Sequence, residues 1–147
     1  VHAPNDPMVD PTLAAEFHFD LFDQAIILTR LTTAAGDGGT RSIEITSPEN
    51  DQLVNGNATI IGSMPIAPFE NNLSFRVLDL NGRQISQSGF MVLAEDMGAP
   101  ASFNNSISLA LAELPVGQQY ILELSELSMA DGSLLALDAV VITLISD

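Results

Sequence analysis

Residues 73–93 read LSFRVLDLNGRQISQSGFMVL, and this stretch decides the fold. From Leu73 to Val77, apolar and polar residues alternate, which predicts a strand with one apolar side. Asp79–Arg83 then reads DLNGR, where Gly82 can supply the positive φ that a tight turn requires. Residues 84–93 return along the same path, so the stretch predicts an antiparallel β-hairpin.

Similar short apolar segments recur about every eight to twelve residues, separated by Gly or Pro turns and without a helical period. We predict strands at residues 43–45, 54–61, 73–80, 84–93, 106–111, 120–127 and 137–145, with a loop at residues 94–106. This pattern predicts an all-β chain in which about seven strands form one antiparallel β-sandwich. The predicted core consists of Ile45, Ile60, Phe75, Val77, Ile107, Leu109, Leu122, Leu124, Val140 and Ile142.

A further strand-like segment, residues 13–31, precedes these strands. Its apolar residues at odd positions are Leu13, Ala15, Phe17, Phe19, Leu21, Ala25, Ile27 and Leu31. Because the period is two, we predict an amphipathic strand, interrupted near residues 22–24 where the alternation falters. The alternative is a helix with Asp10 as its N-cap and Pro11 at its first position. The apolar residues would surround that helix rather than form a stripe, which favours the strand.

A proline-rich leader and a glycine-rich linker flank this arm. Residues 1–12 contain three prolines, which disfavour both helix and strand pairing. Residues 33–40 read TAAGDGGT, a flexible composition that marks a domain boundary. We therefore divide the chain into residues 1–40, which hold the leader, the arm and the linker, and residues 41–147, which form the sandwich.

The chain is strongly acidic, with 19 Asp and Glu residues against four Arg and no Lys, and a net charge of −15. A phosphate backbone or an anionic bilayer would be repelled, so we expect no nucleic-acid partner and no binding to such a bilayer. Solubility, adaptation to high salt and divalent-cation binding each explain the acidity. The chain has no Cys, which excludes disulfides and thiolate metal sites.

The opening of the sequence bears on location. It begins Val1-His2-Ala3-Pro4, without an initiator Met, a basic segment or an apolar segment, so we interpret it as a mature chain after signal-peptide removal. We therefore expect an extracellular or cell-surface location. No apolar run reaches the roughly 18 residues that a membrane helix needs, so we expect no membrane span.

The residues that carry most enzyme chemistry are scarce. His2 and His18 are the only histidines, and neither lies in the predicted sandwich, so no Ser–His–Asp set can be assembled there. Glu95 and Asp96 are adjacent in a predicted loop, whereas paired-carboxylate hydrolysis needs two acids across a cleft. We predict no catalytic residues, no cofactor and no enzyme activity.

Three acidic segments raise the question of calcium. Asp79, Asn81 and Gly82 match the opening of a calcium-binding loop, but the downstream Glu is missing and a hairpin turn explains all three residues. Asp37 and the Glu95–Asp96 pair are looser candidates, and plain solvated loops explain them better. We predict no obligatory metal ion.

Several motifs keep the order and spacing of a known family. They are Ser47-Pro48, Asn55-Gly56, Ile61-Gly62, Phe69-Glu70, the turn at residues 79–83, MGAPASF at residues 97–103 and ELSMADGS at residues 126–133. In these motifs, residues 43–144 resemble the immunoglobulin-like domain of bacterial spore germination. The resemblance implies an immunoglobulin-like sandwich, outside the cytoplasmic membrane and without known catalytic residues. It does not extend to residues 1–40, and a fold alone assigns no function.

The arm supplies the functional hypothesis, because its apolar face must be buried on its own domain or on a neighbour's. In the first arrangement the arm adds to the sheet of the next copy as a donated strand, through the eight apolar arm residues named above. A head-to-tail contact that does not close produces a filament. We therefore expect a structural subunit whose partners are copies of itself. The alternative is a monomeric cell-surface binding module, with the arm on its own sandwich and the loop at residues 94–106 facing the ligand.

Overall fold

The computed structural model of this protein describes residues 15–22, 25–35, 39–96, 98–109 and 115–146. These residues form two packed β-sheets and contain no α-helix. The predicted all-β antiparallel sandwich is therefore confirmed. The leader, residues 1–12, and the arm residue Leu13 lie outside the described residues.

Twelve strands make up the two sheets in the described part of the chain. In chain order they are β1 (Ala15–Phe22), β2 (Ala25–Ala34), β3 (Thr40–Arg41), β4 (Glu44–Ser47), β5 (Gln52–Val54), β6 (Asn57–Met64), β7 (Asn72–Leu78), β8 (Gln84–Met91), β9 (Leu93–Ala94), β10 (Ala101–Ser108), β11 (Gln119–Leu127) and β12 (Leu134–Leu144). The larger sheet runs β1-β2-β12-β11-β7-β8, with β3 beside β2 and β5 beside β12. The smaller sheet runs β4-β6-β10-β9. Among the described strand pairs, only β5 with β12 is parallel.

The main core lies between the sheets, where strand alternation points apolar side chains inward. Of the predicted core residues, those buried are Ile60, Phe75, Val77, Leu109, Leu122, Leu124, Val140 and Ile142. Ile45 and Ile107 are half-buried and pack against the same cluster. The predicted registers are therefore confirmed, since a shift by one residue would have turned these side chains towards solvent.

The segment before β11 differs from the prediction. The sequence predicts a loop over residues 94–106, but β10 begins at Ala101 and pairs with β6 along its whole length. Ala101 and Phe103 are buried, whereas Ser102 and Asn104 face solvent. These polar residues resemble a loop sequence because one face of an antiparallel sheet can remain solvated.

A glycine in β6 lets an aromatic ring lie close to the backbone. Gly62 is opposite Phe103 of β10 and Ile45 of β4. A Cβ atom added at Gly62 would meet the Glu44 carbonyl oxygen and the Phe103 ring. That ring packs edge-on against Phe90, with the ring centroids 5.3 Å apart. Glycine is therefore required here for close approach between the strand and the ring.

We expect Gly62→Ala to lower the free energy of unfolding by about 2 kcal/mol or more, because the added methyl group overpacks the core. Gly89→Ala is the matched control, since its added Cβ would meet only the Asn72 side chain, at 3.3 Å or beyond. That control should change stability by less than about 1 kcal/mol. Urea denaturation followed by far-ultraviolet circular dichroism measures both variants, and equal losses would contradict the tight contact at Gly62.

Candidate interaction surface

The arm forms a β-hairpin rather than one strand. β1 pairs antiparallel with β2, and the last pair before the turn is Phe22 with Ala25. The prediction of one amphipathic strand interrupted near residues 22–24 missed the reversal of direction: β1 ends at Phe22, and β2 begins at Ala25 and runs antiparallel to it. The described part of the arm is strand throughout, so the helical alternative is wrong as well.

β2 joins this hairpin to the chain's own sandwich. It pairs with β12 at two positions, Leu31 with Leu137 and Arg30 with Asp138. The last residues of β2 pair with β3, so the predicted linker over residues 33–40 is shorter than expected. The arm therefore lies on its own larger sheet, as in the alternative arrangement considered from the sequence.

A β-bulge in β2 changes which arm residues share a face. The pairing passes over Thr29, between the partners of His18 and Phe19. An extra residue in one strand interrupts its alternation. Ile27 and Leu31 therefore lie on opposite faces of the hairpin, although their spacing predicts a common face.

Ile27 fastens the hairpin to the outer face of the larger sheet. It is buried in a second cluster with Leu78 of β7 and Ile121 of β11. The partly buried side chains around this cluster are Phe22, Ala25, Leu80, Ala139 and Val141. Ile121 points away from the main core because its neighbour Leu122 points into it. Full burial of an isoleucine contributes about 1.5–3 kcal/mol, so this contact holds the arm in place.

The predicted interface residues divide into a docked group and an exposed group. Ile27 and Leu31 are buried against the chain's own sheet, and Ala25 is half-buried. Ala15 is exposed, as are Phe17, Phe19 and Leu21 of β1. Leu13 belongs to the same predicted set but lies outside the described residues.

Four large apolar side chains of the hairpin are exposed. The exposed fractions are 60% for Phe17, 55% for Phe19, 71% for Leu21 and 73% for Ile26. The two phenylalanine rings are stacked, with centroids 6.4 Å apart, and Leu21 is opposite Ile26 in the strand pair. We call these four residues the apolar hairpin face. Clustered exposed apolar side chains of this kind mark interaction surfaces.

Two buried carboxylates tie the arm to the end of the sandwich. Arg41 of β3 donates a hydrogen bond to Glu126 of β11 at 2.8 Å, and Arg30 Nη1 lies 3.7 Å from Asp138 Oδ1. The other oxygen of Asp138 accepts a hydrogen bond from the Ile45 N–H at 2.8 Å. The side chains of Glu126 and Asp138 are only 4% and 10% exposed.

Burial alters the titration of both acids. It raises the pKa of Glu126, although the charge and hydrogen bond of Arg41 act in the opposite direction. Burial also raises the pKa of Asp138, against the Ile45 N–H and the charge of Arg30. Folding therefore favours the protonated acids. These two groups therefore increase the free energy of unfolding at low pH. This added stability is lost as the pH rises through their folded pKa values.

The acidic turns are not gathered into a metal site. In the part of the chain that the structure describes, no three His, Asp or Glu side chains lie close enough together to hold an ion. The Asp79 carboxylate accepts hydrogen bonds from the N–H groups of Asn81 and Arg83, both at 2.9 Å, and so stabilises the turn. Asp37 lies outside the described residues. No helix within those residues is long and apolar enough to cross a bilayer.

The sequence contains a signal for the docked arm that alternation alone does not capture. Residues 134–144 read LLALDAVVITL, a nearly continuous apolar run. Such a run is typical of a strand covered on both faces. In the structure, residues 120–126 of β11 are all buried as well. The sequence could therefore have predicted that another part of the chain packs against the outer face of β11 and β12.

Comparison with protein families gives one match. A family model described as an immunoglobulin-like domain of bacterial spore germination matches residues 42–133, which is more than half of the chain. This match confirms the resemblance found in the sequence motifs, and domains of this kind are generally non-catalytic. The matched range excludes β1, β2, β3 and β12, so the arm and the strand on which it docks both lie outside it. A comparison with curated proteins gave no match.

We expect Arg41→Met to lower the free energy of unfolding by about 2–3 kcal/mol near neutral pH, because Glu126 is left buried without its cation. Without Arg41 the folded pKa of Glu126 rises further. The full difference in the free energy of unfolding should be present above that pKa. It should disappear as the pH falls below the ordinary pKa of a glutamate, about 4.3. Urea denaturation at about pH 7.5 and about pH 4 measures this dependence.

Arg83→Met is the matched control, since Arg83 is 83% exposed and pairs with Asp79 on the surface. It should cost less than about 1 kcal/mol at neutral pH. A loss for Arg41→Met that is the same at both pH values would show that the contact acts through packing rather than through charge.

Proposed function

The chain belongs to the family of immunoglobulin-like domains of bacterial spore germination, and from this premise we propose that it is an extracellular structural subunit that assembles with copies of itself. The contact between copies is made by the N-terminal hairpin. The subunit has no enzyme activity of its own, which agrees with the generally non-catalytic character of the family.

The observation that carries this proposal is the apolar hairpin face. Its four side chains are 55–73% exposed in a chain whose net charge is −15. Burying the exposed part of each side chain between copies would contribute about 1–2 kcal/mol before the costs of association. None of these four side chains carries a charge, so contact at this face avoids placing acidic groups of two copies together.

The edges of the larger sheet support a strand-donating contact. β1 is the last strand on one side of the sheet and β8 is the last on the other. The outer edge of each strand carries backbone groups that can pair with another chain. β8 reads QISQSGFM and contains neither a charge nor a proline, the residues that usually protect an edge. Pairing of β1 with β8 of the next copy would extend the sheet head to tail, and a repeating contact of that kind produces a filament.

A monomeric binding module is the second candidate function. The observation that favours it is the pairing of β2 with β12 of the same chain, together with burial of Ile27 on the same sheet. In that case the hairpin would shape a ligand site rather than an interface between copies.

We expect concentration-dependent oligomers of the full chain in sedimentation velocity, at concentrations from micromolar to millimolar. Phe19→Asp should weaken association at least about tenfold, because it removes one apolar contact and adds repulsion between copies. Raising the salt concentration should strengthen association of the unaltered chain by screening its acidic surface.

Leu93→Asp is the matched control, since Leu93 is 76% exposed but lies on β9, outside the hairpin. This variant should associate as the unaltered chain does. A full chain that stays monomeric throughout the concentration range would exclude self-assembly. Equal weakening by both substitutions would show that the hairpin is not the contact.

A further inference from the structure

A cleft of about 570 Å³ lies between the hairpin and the outer face of the larger sheet. Its hairpin side carries Ile26, Ile27 and Leu28 of β2, and its floor includes side chains from β7, β8, β11 and β12. Small-molecule sites in proteins commonly enclose about 300–1,000 Å³ and combine apolar walls with a few convergent polar groups. The cleft therefore resembles a ligand site in its volume and in its combination of apolar and polar walls.

The floor is a connected network of polar side chains across three strands. Arg76 donates from Nε and Nη2 to the two oxygens of Glu123, at 2.6 and 2.8 Å. Arg76 Nη1 donates to Gln84 Oε1 at 3.3 Å, and Gln84 Nε2 donates to Gln87 Oε1 at 3.4 Å. Gln87 Nε2 then donates to Ser74 Oγ at 3.0 Å. The bidentate pair with Glu123 holds the Arg76 guanidinium in place before any ligand arrives, which reduces the entropy cost of binding.

The network offers hydrogen bonds without a net charge. Glu123 is 2% exposed and its two oxygens are bound by a single guanidinium, so the two charges offset each other. The guanidinium has five N–H groups and the network uses three, which leaves donors for a ligand. The amides of Gln84 and Gln87 supply both donors and acceptors at the rim.

These features exclude several classes of ligand. Among the described strands of the floor, a peptide strand could pair only at the outer edge of β8, since β7 and β11 are paired on both sides, and that edge is the one we assign to the contact between copies. A divalent cation needs several oxygen ligands, and Glu123, the one carboxylate among the described residues that line the cleft, is already bound by Arg76. A phosphate group would meet an arginine whose charge is compensated, on a chain with a net charge of −15.

We infer that the cleft binds a neutral sugar, of one or two rings. The hydroxyl groups of a sugar both donate and accept hydrogen bonds, as the amide and guanidinium groups of the floor do. Its C–H surfaces can pack against Ile26 and Leu28. The cleft is complete within a single copy, although it shares Ile26 with the apolar hairpin face and β8 with the proposed contact between copies.

The test is a nuclear magnetic resonance titration of the ¹⁵N-labelled full chain with glucose, galactose, N-acetylglucosamine and cellobiose, each up to tens of millimolar. Glucuronate and glucosamine serve as the anionic and cationic comparators. We expect saturable shifts at the side-chain amides of Gln84 and Gln87 with at least one neutral sugar. Gln87→Ala should weaken that binding about fivefold or more, since it removes hydrogen bonds and disrupts the network.

Gln119→Ala is the matched control, because Gln119 is an exposed glutamine of β11 that does not line the cleft. It should leave the affinity unchanged. The inference is overturned if no neutral sugar gives saturable shifts, if only a charged comparator binds, or if Gln87→Ala binds as tightly as Gln119→Ala. Binding that survives Phe19→Asp, with association lost, would separate the sugar site from the contact between copies.

Discussion

The apolar patch on the outer face of the larger sheet is the constraint on which the rest of the arrangement depends. Leu78, Ile121 and Val141 belong to strands whose other face forms the main core. An apolar patch in the middle of a sheet must be covered, because leaving it in water loses the free energy that its burial would supply. The hairpin covers it through Ile27, and this contact holds the arm against its own sheet.

Docking of the arm has a consequence for charge. Every arginine of the chain is used in an ion pair within the fold: Arg30 with Asp138, Arg41 with Glu126, Arg76 with Glu123 and Arg83 with Asp79. Two of these pairs tie β2 and β3 to the sandwich, and a third forms the floor of the cleft. The surplus acids therefore have no arginine left to neutralise them. Contacts with other molecules are favoured where the surface has no net charge. The apolar hairpin face and the polar cleft both meet this condition.

The sequence was sufficient for the sandwich because its strands alternate cleanly and their core residues, such as Phe75 and Leu122, face one way. It was insufficient for the arm. The extra residue at Thr29 changes the alternation of β2, and no glycine marks this bulge in the sequence. The start of β10 was missed because Ser102 and Asn104 are outward positions whose polarity resembles that of a loop. The cleft could not be predicted, since it joins β2 to strands far along the chain.

The pairing of Leu31 with Leu137 brings together strands from opposite ends of the described chain. Bringing residues so far apart in the sequence together costs loop-closure entropy before the contact can stabilise the fold. Folds that are rich in such contacts have a high contact order and therefore fold slowly. During synthesis or export from the N-terminal end, the hairpin emerges long before β12 is available. Until β7 and β11 have emerged, Ile27 lacks its docking partners Leu78 and Ile121, and nascent copies held close together could exchange arms. In the assembly we propose, the order in which the strands emerge would give the arm a period in which its own sheet and a neighbour's compete for it.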